Sequence, residues 1–324
     1  MFFYIFIIIQ TLIIILALLI TVAYLTLLER KLLALVQRRK GPNVVGTFGL
    51  MQPLADGFKL FVKEIIIPNN SNKFIFILAP IISFAISLFS WSLIPLSKYS
   101  IYSDLNLGIL FLLSFSSIGI YGILLSGWSS NSKYSFLGAL RSSAQMISYE
   151  LTIGFTIILI GLTTHSLNLN DFILSQQNGW FCTVHTIPAI IFFISGLAET
   201  NRHPFDLPEA EAELVSGYNV EYSGMTFALF SLAEYSNILL MCSLNTILFW
   251  GGWLPIFSTF SDGFFWFAIK TLIFYILFVY ARAILPRYRY DQLMHLGWKI
   301  LLPILIAYIP VTIVILYSFN ILAI

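Results

Sequence analysis

The sequence predicts an all-α polytopic membrane protein with eight transmembrane helices and one interfacial amphipathic helix. Of its 324 residues, 59% are hydrophobic and only 10% are charged, and the mean hydropathy is +0.90. Soluble globular domains do not have this composition. The apolar residues form long unbroken runs, not the short alternating strands of a membrane barrel. The sequence therefore indicates a single transmembrane domain over residues 1–324.

The apolar runs divide into eight segments that match the length needed to cross about 30 Å of hydrocarbon. The first has neither a basic leading region nor a small-residue cleavage site, so we expect a retained span and not a removed signal. The second contains Pro80 and Pro95, and the fifth is short and broken by Pro188. The predicted spans are residues 1–28, 74–96, 105–127, 146–162, 180–198, 222–250, 263–285 and 300–324.

Residues 52–67 are predicted to form an amphipathic helix on the membrane surface, because the segment is too short and too charged to span. Its apolar side chains recur at helical spacing, and the charged side chains lie mostly off that stripe. A soluble helix that packs on a partner fits the same pattern equally well. The stripe consists of Leu54, Phe58, Phe61 and Ile65.

The basic residues indicate how the chain is oriented. With eight spans, all of the 17 Lys and Arg residues except Lys98 and Lys270 fall on the side that contains Glu29. Basic loops remain on the cytoplasmic side of a membrane or its organelle equivalent. We therefore expect this charged side to face inward, with both termini on the opposite side.

Acidic residues are concentrated in one stretch, residues 199–234, which follows the fifth span and includes a predicted acidic inner-side loop at 199–223. Glu234 falls inside the sixth span, where a carboxylate is costly without a partner, water or a function. Crowded carboxylates raise one another's pKa and can hold protons near neutral pH. The alternative is a solvated acidic loop. Seven of the chain's 15 acids lie here: Glu199, Asp206, Glu209, Glu211, Glu213, Glu221 and Glu234.

Two further acids lie next to predicted spans. Glu29 is the first acid after the first span, and Glu150 is expected in the first turns of the fourth. For Glu150, an interfacial acid favoured by the helix dipole is an equally good interpretation.

Several classes of site are disfavoured by the sequence. Cys182 and Cys242 are too few for an iron–sulfur cluster, which needs about four thiolates. The four histidines show no paired spacing that favours a haem. No glycine-rich nucleotide motif is present. We therefore predict no metal site, no catalytic residue and no nucleic-acid partner for this chain.

Three long motifs resemble a known family. They read LLERKLLALVQRRKGPN after the first span, AETNRHPFDLPEAEAELVSGYNVEYSG followed by FSLAEY after the fifth, and RAILPRYRYDQLMHLGWK after the seventh. The chain resembles subunit 1 of respiratory complex I, NADH:ubiquinone oxidoreductase, over nearly its whole length. The resemblance implies eight tilted helices, a surface helix, and a position where the hydrophilic arm docks. Ubiquinone would be the substrate, and NADH, FMN and the iron–sulfur clusters would bind partner subunits.

Carried over by motif, the resemblance implies a quinone passage on the charged side of the membrane. Its residues are Glu29, Arg30, Asp56, Lys59, Arg202, Asp206, Arg282 and Arg287. It also implies a series of proton-coupling carboxylates leading from the quinone chamber into the membrane. They are Glu150, Glu199, Glu209, Glu211, Glu213, Glu221 and Glu234. The segments HPFD and DLPEAEAE vary slightly around the loop acids, which leaves the charged pattern intact.

These observations lead to a coupling hypothesis. A charge change at the quinone would shift the protonation of the loop acids and then of the acids within the spans. Other classes remain open: a self-contained cation or proton transporter, a pure anchor for a peripheral enzyme, or the anchor subunit of a membrane-bound hydrogenase. We expect partners among the hydrophilic quinone-module subunits, the small membrane-arm subunits and membrane lipids. The richness in Phe and Ile favours the mitochondrial inner membrane over a bacterial plasma membrane, with both termini in the intermembrane space.

Overall fold

The computed structural model describes residues 2–98, 104–206, 217–256 and 263–318, and throughout these ranges the regular structure is helical. The longer helices are α1 (Phe2–Val36), α3 (Lys73–Trp91), α4 (Gly108–Ser129), α5 (Lys133–Thr164), α9 (Gly224–Phe249) and α10 (Phe264–Ile284). The shorter helices are α2 (Gln52–Val62), α6 (Leu169–Leu174), α7 (Phe181–Val184), α8 (Thr186–Glu199), α11 (Tyr290–His295) and α12 (Leu302–Ser318). A π-helical turn at Leu296–Leu301 joins the last two helices. The predicted all-α membrane fold is confirmed.

Seven described helical segments are long and apolar enough to cross a membrane, and α8 is a shorter apolar helix in the position of the fifth span. With 14 residues, α8 rises about 21 Å, less than the hydrocarbon thickness. The helical conformation is interrupted at His185, between α7 and α8. The expected break at Pro188 is wrong: Pro188 lies in the first turn of α8, where a missing backbone N–H is tolerated.

Several helices extend beyond the predicted apolar runs. Helix α1 continues to Val36, so Glu29 and Arg30 lie on the helix and not after it. Helix α5 begins at Lys133, where the Ser132 side chain accepts a hydrogen bond from the Ser135 N–H. Glu150 therefore lies near the middle of α5, and its predicted place in the first turns is wrong. Hydropathy located the apolar part of each helix but not the polar turns that continue it.

The remaining differences concern segments predicted as loops or as longer helices. Helix α2 ends at Val62, because Lys63 has an extended backbone, so residues 63–67 are not helical. Helix α3 ends at Trp91 and leaves Pro95 outside it. The segment between the fourth and fifth predicted spans contains α6, and the segment before the last predicted span contains α11.

The helices of the bundle approach one another closely through small residues. A Cβ on Gly122 of α4 would lie 3.0 Å from the Ser83 Cβ of α3, and one on Gly127 would overlap the Ala139 Cβ of α5. Membrane helices associate through such contacts, because lipid provides little hydrophobic drive for helix pairing. Helices α3, α4 and α5 consequently form a tight group, which α9 joins through α3 and α8 joins through α5.

Opposite the charged side, Lys270 of α10 holds the end of the bundle together. Its ammonium group is buried and donates to the carbonyls of Trp250, Gly252 and Leu254 at 2.6, 3.2 and 2.7 Å. It also lies 4.9 Å from the ring centroid of Trp180. Three donated hydrogen bonds use every N–H of an ammonium group. Lys270 therefore satisfies the carbonyls of the turn after α9 and has a structural role.

Candidate functional site

Glu29 is the centre of a charged cluster on the charged side of the bundle. The residue is 5% exposed, and its carboxylate forms ion pairs with Arg282 of α10 and with Arg202, the latter at 3.6 Å. The Tyr235 hydroxyl of α9 donates to the other carboxylate oxygen at 2.7 Å. The Arg202 guanidinium carbon lies 4.4 Å from the Tyr235 ring centroid, a cation–π arrangement. We call Glu29, Arg202, Tyr235 and Arg282 the Glu29 cluster.

A second ion pair lies in the segment that follows α8. Asp206 is buried and accepts a hydrogen bond from Arg287 at 3.3 Å. The buried Gln145 side chain of α5 donates to the carbonyls of Ala198 and Phe205, at 2.7 and 2.9 Å. Because these carbonyls lie on either side of Arg202, Gln145 positions Arg202 and Asp206 against α5.

His203 lies between these two ion pairs. Burial and the positive charge of Arg287 lower the pKa of His203 below its ordinary value of 6.5, while Asp206 opposes them and Arg282 adds to them. The imidazole is therefore neutral near pH 7, and the cluster contains no additional positive charge from this residue.

A cavity lies inside the membrane-spanning bundle, between α3, α4, α5, α8 and α9. Its volume is about 80 Å³, enough for several waters. Glu199 and Glu234 line it, together with the polar side chains of Ser116, Tyr218 and Asn237. We call it the carboxylate cavity.

Glu150 and Glu234 are hydrogen-bonded to hydroxyl groups. Tyr218 donates to Glu234, and Ser116 donates to Glu150 at 3.1 Å. Ser117 donates to the same oxygen of Glu150. Glu150 is near enough to Glu199 for their charges to interact, although it does not line the cavity. The structure thus places Glu199 and Glu234 on a largely apolar cavity, with Glu150 close to Glu199 outside it.

Arg202 connects the two parts of the site electrostatically. It pairs with Glu29 in the cluster, and its charge also acts on Glu234 at the cavity. Glu29 and Asp206 act on Glu234 as well. A change of charge on one side of Arg202 must therefore alter the potential at the carboxylates on the other side.

The other predicted site residues are more peripheral. Arg30 and Asp56 form an exposed ion pair at 2.7 Å that joins α1 to α2, and Lys59 is exposed on α2. Glu221 is half-buried after the short turn at 217–219. Glu209, Glu211 and Glu213 lie outside the described residues.

Sequence reasoning missed the uncharged polar residues of the site. These side chains hydrogen-bond to predicted acids or to main-chain carbonyls near those acids. They are Tyr235, Tyr218, Gln145 and the serine pair at 116–117. Tyr235 is 206 residues from Glu29, and Gln145 is 60 residues from Phe205. No local spacing could have indicated these partners. The one available signal was the presence of tyrosine next to Glu234 and of serines in an apolar span.

No group of three or more His, Cys, Asp or Glu side chains suited to a metal ion occurs in the part of the chain that the structure describes. Cys182 and Cys242 are free. The polar chemistry of the site therefore comes from carboxylates, arginines and hydroxyl groups.

Fold and site together define a multi-span helical membrane protein whose ionisable groups converge at one side of the bundle. The family model of NADH dehydrogenase matches residues 9–313. The chain is 59% identical to NADH-ubiquinone oxidoreductase chain 1 of Chondrus crispus over 311 residues, 95% of each protein. It is 53% identical to an NADH-quinone oxidoreductase subunit of Paramagnetospirillum magneticum, over 97% of this chain and 93% of that relative.

The chain therefore belongs to the NADH dehydrogenase family, that of subunit 1 of respiratory complex I. The resemblance inferred from the three motifs is confirmed. The chain is a membrane-arm subunit of the multi-subunit NADH:quinone oxidoreductase of the respiratory chain.

The lowered pKa of His203 predicts a specific dependence of stability on pH. Below about pH 6.5 the unfolded chain binds a proton at this histidine before the folded chain does, so stability falls as the pH falls. When the pH is lowered from about 7.5 to about 5.5, the midpoint of thermal inactivation should fall by roughly 1–2 °C less in His203→Gln than in the wild type. Thermal inactivation of the purified complex at each pH measures this difference.

His295→Gln is the matched control, because His295 is exposed at the end of α11. Equal pH dependence in wild type and His203→Gln would contradict the assignment of a neutral imidazole at His203.

Proposed function

We propose that this chain forms part of the wall of the quinone passage in NADH:quinone oxidoreductase and couples quinone reduction to proton translocation. The observation that supports this proposal most directly is that Arg202, a member of the Glu29 cluster, also interacts electrostatically with Glu234 at the carboxylate cavity. The cluster provides a polar site at the inner side of the bundle. The cavity provides proton-binding groups inside it.

The Glu29 cluster has chemistry suited to a passing quinone headgroup. Quinone carbonyl oxygens accept hydrogen bonds, and Arg202 and Arg282 are donors held in place by one buried carboxylate. A small pocket of about 10 Å³ lies against this cluster and is otherwise lined by Ile238, Tyr275, Phe278 and Val279. It has room for about one water molecule, so a quinone headgroup would meet the arginine side chains at the edge of this pocket and not inside it.

The coupling step in this proposal is electrostatic. Reduction of a quinone to a quinol takes up two electrons and two protons, so the charge beside the cluster changes during turnover. Arg202 carries that change to Glu234, and Glu150 and Glu199 continue the series across the cavity. In an apolar surrounding, such charges interact strongly because screening by water is weak. The acids of the inner loop would supply the protons. They are Glu209, Glu211, Glu213 and Glu221.

The same proposal places the chain within its assembly. Hydrophilic quinone-module subunits would dock on the charged side, over α2 and the loop after α8, and small membrane-arm subunits would flank the bundle. NADH, FMN and the iron–sulfur clusters would be bound by those partners. The location would be the mitochondrial inner membrane, with both termini in the intermembrane space.

Removing one donor of the Glu29 cluster should impair quinone use specifically. We expect Arg282→Leu to raise the KM for ubiquinone about tenfold, equivalent to about 1.4 kcal/mol, because a charge-assisted hydrogen bond is lost. Electron transfer from NADH to a water-soluble acceptor should be unchanged, because that acceptor bypasses the quinone passage. Steady-state kinetics of the assembled complex in membranes measure both activities.

Arg289→Leu is the matched control, because Arg289 is exposed and forms its ion pair with the equally exposed Asp291. If Arg282→Leu leaves the KM for ubiquinone unchanged in a fully assembled complex, the Glu29 cluster is not part of the passage.

Neutralising Glu234 should uncouple electron transfer from proton movement. We expect Glu234→Gln to lower coupled turnover on the order of 10²-fold, the usual contribution of a positioned proton-transfer group, with fewer protons moved per electron. The measurement is proton uptake and NADH oxidation in sealed vesicles that contain the complex.

Glu64→Gln provides the control for loss of a carboxylate, since Glu64 is exposed on the inner side after α2. An unchanged number of protons per electron in Glu234→Gln would refute the coupling path. Loss of assembly together with activity would instead support an anchoring role for the acid.

A further inference from the structure

A second large cavity lies between α1 and α10, and along α1 it extends to Leu28, the residue before Glu29. Its volume is about 360 Å³, more than that of the carboxylate cavity. Trp91 at the end of α3, Leu96 in the segment after α3 and Leu239 in the middle of α9 complete its walls. We call this cavity the α1–α10 groove.

The groove has no role in the site described above. Residues of α1 line it from Ile14 to Leu28, and residues of α10 from Phe264 to Tyr275. Tyr275 is the one residue that this groove shares with the pocket beside the Glu29 cluster. Its hydroxyl donates to the Leu25 carbonyl at 3.0 Å, so the side chain stands between the two spaces and ties α10 to α1.

Most of the polar side chains of the groove are occupied by hydrogen bonds within the protein, and a fifth one, Tyr24, is 42% exposed. Two threonines, a tryptophan and a second tyrosine in its wall each donate to a main-chain carbonyl, so these four are already paired and do not favour a polar ligand. An apolar space of this kind does not hold water well, and it favours a hydrocarbon occupant. The bonds run from Thr21 to Leu18, Thr271 to Ala268, Trp91 to Ser236 and Tyr275 to Leu25, at 2.8, 2.9, 3.2 and 3.0 Å.

The groove is longer than one leaflet of a bilayer is thick. From Ile14 to Leu28, α1 rises about 21 Å, and half of the hydrocarbon core is about 15 Å thick. The groove is therefore long enough to take one acyl chain that enters from the leaflet opposite the charged side.

Charge at the far end of the groove indicates the headgroup. Lys98 is exposed and lies two residues after Leu96, which lines the groove. Lys270, the other cation of that end in the described ranges, is buried and bonded to three carbonyls. A phosphate at the membrane surface would therefore be attracted to Lys98.

We propose that the α1–α10 groove binds one acyl chain of an anionic glycerophospholipid whose phosphate is held by Lys98. The bound chain would fill the space between α1 and α10 and so stabilise α1 against the bundle. Because α1 carries Glu29, the lipid would help to keep the Glu29 cluster assembled without taking part in the reaction.

Photolabelling of the assembled complex tests this proposal. The complex is reconstituted in phosphatidylcholine vesicles containing a phosphatidylglycerol probe with a photoreactive group on its acyl chain, and labelled peptides are identified by mass spectrometry. We expect labels in residues 14–28 and 264–275. Ala268→Trp should fill the groove and reduce this labelling about tenfold.

Ala17→Phe fills the groove from α1 and serves as the second variant if Ala268→Trp does not assemble. Ala307→Trp is the control, because Ala307 is exposed on α12 away from the groove, and it should leave labelling unchanged. Lys98→Gln should reduce labelling by the phosphatidylglycerol probe several-fold but leave labelling by the equivalent phosphatidylcholine probe unchanged.

Three results would overturn the proposal. Labelling that persists in both filling variants would place the lipid elsewhere. Equal labelling by the two probes in wild type and Lys98→Gln would show that the groove does not select an anionic headgroup. Displacement of the label by a long-tailed quinone would identify an isoprenoid chain as the occupant.

Discussion

The carboxylate of Glu29 imposes the constraint on which the rest of the charged side depends. A buried carboxylate in an apolar bundle is costly unless positive charge and hydrogen-bond donors compensate for lost water. Its partners come from α9, α10 and the segment after α8, so one side chain of α1 fixes three separate parts of the chain. Helix α1 is otherwise largely exposed along its length. These contacts fix its position along the bundle axis and its rotation about its own axis.

Helix α5 begins well before its apolar part, and one of its polar side chains holds the segment after α8. Gln145 lies in the region predicted as a loop, and its position on the helix lets its amide reach the backbone on both sides of Arg202. One turn further, the Tyr149 hydroxyl donates to the Leu293 carbonyl at 2.9 Å and holds α11. Glu150 follows directly and faces the serines of α4. Helix α5 thus links the inner loops to the acids inside the membrane.

Much of the fold followed from hydropathy, because a bilayer requires long apolar helices whose backbone groups are internally bonded. The positions of the long spans and of the charged side are visible in the sequence for this reason. Helix ends were predicted poorly, as at Lys133 and Val62, because polar turns continue or stop a helix according to tertiary contacts. The acids of the site were recognisable, since carboxylates are rare in this chain. Their hydroxyl and amide partners were not, since contacts such as Tyr235 with Glu29 join residues far apart in the chain.

The central claim is that the acids inside the bundle share a water-bearing space through which protons can move. A density map of the assembled enzyme, at a resolution that shows ordered water, tests it most directly. The account predicts several ordered waters in the carboxylate cavity, within hydrogen-bond distance of Glu199 and Glu234, since its volume of about 80 Å³ holds more than one. A cavity that is dry, or filled by lipid or by a partner's apolar side chains, would contradict it.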